Sequence, residues 1–272
     1  MAATWTKTLG RVAFINCDPL YHHLSDDWNV LAAPPSWLTG HVLRRDCILA
    51  PIPAADYAKH ADDLVLLPDI GIGSQGEVGS VLLFGGVPLD AMKTIALPSD
   101  SATSVALLKH LIAKQGRDMD YISTGPDYES MMAIADGALL IGDRALEAAK
   151  EFPEMVQMDL GTAWMDEEGL PMIFGVFVAR RDTPVDALKL AHASLVANLE
   201  RFESEADKRE AVIEVDGKIR AVPRTTRPVL RRGVQSTEST SPQRFVSIFG
   251  PRVRHEITTS ICVGIDVRCI KI

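Results

Sequence analysis

Short apolar runs alternate with helix-spaced apolar positions through the first two thirds of this 272-residue chain, and that alternation constrains the fold more than any single motif does. The runs Arg11–Ile15, Cys47–Ala50, Ser80–Phe84, Thr94–Leu97 and Ala138–Ile141, rich in Val, Ile and Leu, read as buried strands. Helical spacing recurs at Val105, Leu108, Leu111 and Ile112, and at Met131, Met132 and Ala135, where the methionine pair reads as core filling. Alternation of this kind predicts an α/β fold with mainly parallel sheet. The longer run Pro171–Ala179 predicts one more buried strand. Behind it Asp182-Thr183-Pro184 supplies an N-cap and a first-turn proline for a helix striped with Leu188, Ala191, Leu195, Leu199 and Phe202. That stripe dissolves into the solvated charged face Glu203–Glu210.

Composition narrows the function classes. With 47% hydrophobic residues the chain can build a sizeable core, yet no uninterrupted apolar run approaches the roughly 20 residues of a spanning helix. The first eleven residues carry no apolar leader, which predicts a cytoplasmic protein with no membrane partner. Cys17, Cys47, Cys262 and Cys269 are too scattered for a disulfide framework or a zinc knuckle, and read as reduced core thiols. The net charge of −8 argues against nucleic acid or an anionic membrane surface. Charge is uneven, however: from Ile219 to Ile272, nine Arg and Lys271 against Glu238, Glu256 and Asp266 make a +7 tail behind a −15 body. That tail is poor in Leu and Ala and rich in Ser, Thr and Arg, so it reads as a linker or disordered segment followed by a short β-prone end.

One segment has the makings of a small-anion site. Leu97-Pro98-Ser99-Asp100-Ser101-Ala102-Thr103-Ser104-Val105 lies between a predicted strand and a predicted helix, where first-turn N–H groups attract a carboxylate or phosphate. Ser101, Thr103 and Ser104 are equally explained as helix caps. Asn16 lies just past the first predicted strand, where ligands gather in open α/β sheets; an Asx turn before Pro19 explains it too. Asp143, at the end of the strand Ala138–Ile141, either lines a cleft or caps the helix from Ala145. His22 and His23 read as surface residues, Asp159-Leu160-Gly161 as a turn, and Trp164 and Tyr128 as core aromatics or a cover for the cleft.

Five segments, in this order, resemble the menaquinone-biosynthetic chorismate dehydratase family of the futalosine pathway. They are Phe14-Ile15-Asn16-Cys17-Asp18-Pro19-Leu20-Tyr21, Gly79-Ser80-Val81-Leu82-Leu83-Phe84, Asp100-Ser101-Ala102-Thr103-Ser104-Val105, Ala138-Leu139-Leu140-Ile141-Gly142-Asp143-Arg144-Ala145-Leu146, and Asp159-Leu160-Gly161 with Trp164 and Gly169-Leu170-Pro171. The departures are Gly85 and Gly86 where a serine is common, Ala102 where an arginine is common, Met172 for phenylalanine, and the tail after Lys218. The sister family that makes 1,4-dihydroxy-6-naphthoate opens on a Ser-Pro-Cys-Pro-Asn-Asp-like stretch that this chain lacks. Two further alternatives are a solute-binding protein and an inactive homologue, which would bind a carboxylate without chemistry.

The resemblance implies a two-lobed, periplasmic-binding-protein-like (type II) α/β fold with two inter-lobe crossovers, near Gly85–Met92 and near Met172–Arg181. One lobe would take residues 1–90 and 172–218, the other 91–171, with 219–272 either part of the first lobe or disordered. It implies removal of water from chorismate to give 3-[(1-carboxyvinyl)oxy]benzoate, an aromatisation that demands neither a redox cofactor nor a metal. The substrate would be a small dicarboxylate. Ser101, Thr103 and Ser104 would hold one carboxylate, with Ser80 a second anchor unless its hydroxyl bonds to backbone. Asn16 would be catalytic and Asp143 would line the cleft.

Overall fold

The computed structural model describes residues 4–22, 24–204 and 268–270. Expectations for His23, the charged face beyond Ser204, the thiols of Cys262 and Cys269, and the tail apart from Arg268–Ile270 lie outside what is described. The chain runs β1 (Thr8–Val12), a 3-10 turn at Ile15–Cys17, α1 (Asp18–Tyr21), β2 (Asn29–Ala33), α2 (Pro35–Leu43), β3 (Ala50–Pro53), α3 (Ala54–His60), β4 (Leu64–Ser74) and β5 (Val81–Gly85). It continues through β6 (Thr94–Pro98), α4 (Ala102–Lys114), β7 (Asp120–Thr124), α5 (Tyr128–Met132), β8 (Gly137–Ile141), α6 (Asp143–Glu151), β9 (Val156–Asp159), α7 (Leu160–Glu168), β10 (Met172–Arg180), α8 (Val185–Ser204) and β11 (Arg268–Ile270).

Three sheets organise these elements: β1-β2, the four-stranded β11-β4-β10-β3, and the five-stranded β7-β6-β8-β5-β9. The first two are tied together, because Leu9 bridges Leu49 and the Gly10 N–H donates to the Leu49 carbonyl at 2.8 Å. A Cβ on Gly10 would collide with the Ala50 Cβ, so only glycine lets β1 lie this close to β3. The close approach fixes the first strand at Thr8–Val12. It starts three residues before the expected Arg11, and Ile15–Cys17 turns instead of extending.

In the five-stranded sheet, Val81 and Leu83 of β5, Ile95 and Leu97 of β6, and Leu139 and Ile141 of β8 pack on one side. Leu82, Phe84, Ala96, Ala138 and Leu140 form a second core with Met131 on the other. Burial on both faces is why these strands read as unbroken apolar runs.

β1 and β2 pair in parallel, but the two larger sheets are mixed rather than mainly parallel. β6 runs parallel to β7 and β8, but β5 is antiparallel to β8 and β9, and β10 is antiparallel to β3 and β4. Because β5 is a central strand of the five-stranded sheet, the chain passes between sheets at 75–80, ahead of the expected 85–92. β10 pairs with β3 and β4 from its first residues, so the return passage falls at 169–171 rather than within 172–181. β11 adds to the four-stranded sheet, parallel to β4. Along α8, Ala191, Leu195 and Leu199 are buried as the stripe predicted. The capping residues behave differently: Asp182 pairs with Arg45 and Arg180, and the buried Thr183 hydroxyl makes no hydrogen bond among the described residues. Among the described residues no helix is long and apolar enough to cross a membrane.

Candidate functional site

The segment after β1 is held from several directions. Tyr21 donates to the Gly10 carbonyl at 2.6 Å, Asn198 of α8 donates to the Leu20 carbonyl at 3.0 Å, and Arg11 pairs with Asp18. Pro19 starts α1, and the Cys17 N–H closes the 3-10 turn on the Phe14 carbonyl at 3.2 Å. Asn16 is thus presented on a rigid loop. Its Oδ1 is buried and among the described residues accepts no hydrogen bond, whereas an Asx turn would use that oxygen. The neighbouring Cys17 thiol is pushed up to about 12, chiefly by burial, and is not a nucleophile at neutral pH.

Against this loop stands the end of β8. Gly142 has φ +63°, and a Cβ there would lie 2.8 Å from the Phe14 ring, so both backbone conformation and space require glycine. Its N–H donates to the Ser80 carbonyl at 2.8 Å, which brings Ser80 beside the 142–144 corner. The Ser80 hydroxyl is buried and among the described residues has no partner, so the expected alternative of a backbone-bonded strand hydroxyl is not what they provide. Asp143 is the first residue of α6, and its Oδ1 accepts from the Ile15 N–H at 3.4 Å; the N-cap position belongs to Gly142, which has no side chain to cap with. Arg144 stacks its guanidinium 5.7 Å from the Phe14 ring centroid and donates to Asp100 Oδ2 at 2.9 Å.

Asp100 opens the hydroxyl turn. Its carbonyl accepts from the Ser36 N–H of α2 at 3.4 Å, while its Oδ1 is buried and among the described residues has no partner. Ser101 occupies the N-cap of α4 but makes no side-chain cap bond. Thr103 Oγ1 is taken by the Ala55 N–H of α3 at 3.2 Å, and Ser104 is buried. The expectation that these residues cap their own helix therefore fails: Thr103 ties α4 to α3 instead, and the first-turn N–H groups of α4 receive no side-chain cap.

A seam runs between the five-stranded sheet and the elements around β1, α2 and α3: the Asn16 loop and Ser80 meet the 142–144 corner with Asp143, and the turn that carries Ser101, Thr103 and Ser104 is joined to that corner through Asp100 and to α2 and α3 through Ser36 and Ala55. Asp100, Arg144 and Phe14 join them without having been assigned a role from the sequence. The signal was present in the Asp-Ser-Ala-Thr-Ser and Gly-Asp-Arg stretches, but the Asp100–Arg144 pairing spans 44 residues and no local pattern reveals it. Trp164 is fully buried 6.0 Å from the His110 ring and fills a core, whereas Tyr128 is half-buried and packs against the second core through Phe84 and Phe152. Asp56 accepts from Thr39 at 3.1 Å and pairs with Lys59, a structural role. His22 ends α1 at its C-cap.

Chorismate dehydratase from Thermus thermophilus is 35% identical over 228 residues, covering 74% of this chain and 81% of that protein. Among solved structures, a structural-genomics protein from Archaeoglobus fulgidus superposes with a TM-score of 0.54 at 15% identity over 75% of this chain and 84% of its own. The alkanesulfonate-binding protein SsuA from Xanthomonas axonopodis pv. citri does so with a TM-score of 0.53 at 16% identity over 77% and 78%. At such identities these two report the fold alone, which is the two-lobed binding-protein-like architecture. The family model described as menaquinone biosynthesis matches residues 7–219, and the chain belongs to that family.

Proposed function

We propose that this chain dehydrates chorismate to 3-[(1-carboxyvinyl)oxy]benzoate on the path to menaquinone. The observation that carries this reading is the buried, unpartnered Oδ1 of Asn16, set at the same seam as the hydroxyl turn and the 142–144 corner. A polar atom buried without a partner costs stability unless a ligand completes it. The reaction removes a carbon-bound proton and the neighbouring ring hydroxyl, which leave together as water while the ring becomes aromatic. Aromatisation supplies driving force, so holding the substrate accounts for much of the rate.

Ser101, Ser104 and the uncapped first turn of α4 receive one carboxylate, and the Ser80 hydroxyl serves the other. Thr103 holds α4 against α3 through Ala55 rather than offering its hydroxyl first. Asn16 both donates and accepts, which suits it to the reacting edge of the ring. Asp143 fixes the loop that carries Asn16 through the Ile15 N–H. One lobe is built around the four-stranded sheet and the other around the five-stranded sheet, and closure between them excludes water. We place the protein in the cytoplasm, a setting that keeps the free buried thiols Cys17 and Cys47 reduced.

Purified protein incubated with chorismate, followed by chromatography, tests the reading. Accumulation of the enolpyruvyl benzoate is expected. Saturable binding of chorismate without product would overturn it in favour of a receptor for small carboxylates.

A further inference from the structure

We propose that Arg144 is the cationic anchor for one carboxylate of the substrate, with Asp100 and Phe14 holding its guanidinium in place. The inference rests on the reading that the ligand is a dicarboxylate. Two arginines stand at the seam, Arg11 paired with Asp18 and Arg144 paired with Asp100; Arg144 is the one on the 142–144 corner that is joined to the hydroxyl turn, and Asp100 and Asp143 are acidic. Two negative charges entering this acidic protein therefore meet two more, and hydroxyls alone carry no charge to offset them.

Arg144 is built for the task on three counts. Its guanidinium has five N–H donors in a planar fork, and among the described residues its one hydrogen bond is through Nη1 to Asp100. Its Cζ lies 5.7 Å from the Phe14 ring centroid, a cation–π contact that together with Asp100 limits where the guanidinium can sit, and the donors that Asp100 does not use can receive a carboxylate. The side chain is 35% exposed whereas its partner Asp100 is 6% exposed, so the cation is reachable and its orienting carboxylate is not. Among the described residues Asp100 Oδ1 is buried without a partner, so the carboxylate is not there for stability alone: one fully satisfied or replaced by an apolar residue would serve packing better. The arrangement joins the hydroxyl turn, through Asp100, to the Asn16 loop, through Phe14. A carboxylate bound at Arg144 is thereby placed against both.

The test compares wild type with Arg144→Gln and Arg144→Lys, measuring chorismate binding by calorimetry and turnover by chromatography, with thermal melts to confirm folding. Arg144→Gln is expected to raise KM and Kd about 10- to 100-fold, the factor carried by charge-assisted hydrogen bonds, with kcat reduced far less. Arg144→Lys keeps the charge but not the fork and recovers part of the loss. Wild-type affinity should fall with added salt, and the Gln variant should lose most of that dependence. Unchanged KM and Kd in Arg144→Gln, a loss confined to kcat, or equal losses in the Lys and Gln variants would overturn the inference. If Arg144→Gln does not fold, the Lys variant and the salt series on wild type decide it. Wild type that binds chorismate but makes no product fails the dehydratase reading alone, and the binding measurements still judge Arg144.

Discussion

Asn16 and Asp159 occupy equivalent places in the chain, each at the junction where a strand gives way to a helix, yet the fold treats them in opposite ways. Asp159 accepts from the Thr162 N–H at 2.9 Å as N-cap of α7, and also from Val78 at 3.1 Å and Gly79 at 2.7 Å. Among the described residues Asn16 Oδ1 accepts from none. The first side chain is fully used in building the molecule, pinning the 75–80 passage between sheets to the start of α7. The second is buried and left with an unmet acceptor, which is how a group reserved for a ligand differs from one spent on architecture.

The contrast breaks most sharply at Asn16. Asn16→Ala is expected to lower chorismate turnover by at least about 100-fold, the scale seen when one directed polar group is removed from a reacting centre. Stability should stay within about 0.5 kcal/mol of wild type, because no intramolecular hydrogen bond to Oδ1 is lost. Initial rates and urea unfolding on the same preparation check both halves. Turnover within fivefold of wild type, or a large drop in the unfolding midpoint, would move Asn16 to the architectural side.

Asp159→Ala should do the reverse. It removes a helix cap and strips the Val78 and Gly79 N–H groups of their acceptor, for a loss of roughly 2–4 kcal/mol. Because the 75–80 passage leads directly into Ser80, KM should rise as well, while kcat at saturation stays close to wild type. Urea unfolding with steady-state kinetics separates the two, and an unchanged midpoint would show that the three bonds to Asp159 are not holding the passage.

The same division between satisfied and unsatisfied groups explains what the sequence could and could not reveal. β5, β6, β8 and β10 are legible because they are buried on both faces and carry little but apolar residues. β3 was legible only at its start: the expected strand Cys47–Ala50 ends where Ala50–Pro53 begins, and the rest hides behind Pro51 and Pro53, tolerated because β3 is the edge of its sheet and its prolines withhold N–H groups where no neighbour needs them all. β4 hides behind Pro68 and Asp69, the latter at φ +67°, where its pairing with β10 is interrupted. β2, β7 and β9 are edge strands with half-exposed residues, so their alternation is faint. Site residues were legible by type, since Asn, Ser, Thr and Asp in strand-to-helix turns invite the thought of a ligand. Whether each was spent or spare was not legible, because Thr103's partner lies 48 residues away and that of Asp100 lies 44 away.

A second spent carboxylate sharpens the comparison at the smallest expected effect. Asp136 accepts from the Lys93 N–H at 2.8 Å, the Thr94 N–H at 2.9 Å and the Thr94 hydroxyl at 3.0 Å, joining the start of β6 to the turn before β8. Backbone hydrogen bonds from Lys93 and Thr94, aided by the Thr94 hydroxyl, hold its carboxyl below the ordinary value of 3.8. A carboxyl with a lowered folded-state pKa stabilises the fold fully at pH above the unfolded value, and that contribution disappears as pH falls through the folded value. Asp136→Asn should therefore unfold at lower urea than wild type at pH 7, by a small margin because the site is exposed to solvent. The two unfolding midpoints should converge as pH is taken down through 3. A gap that persists unchanged into acid would mean that shape rather than charge sets Asp136's contribution, and the ionised carboxylate would lose its place beside Asp159 among the groups the fold has used.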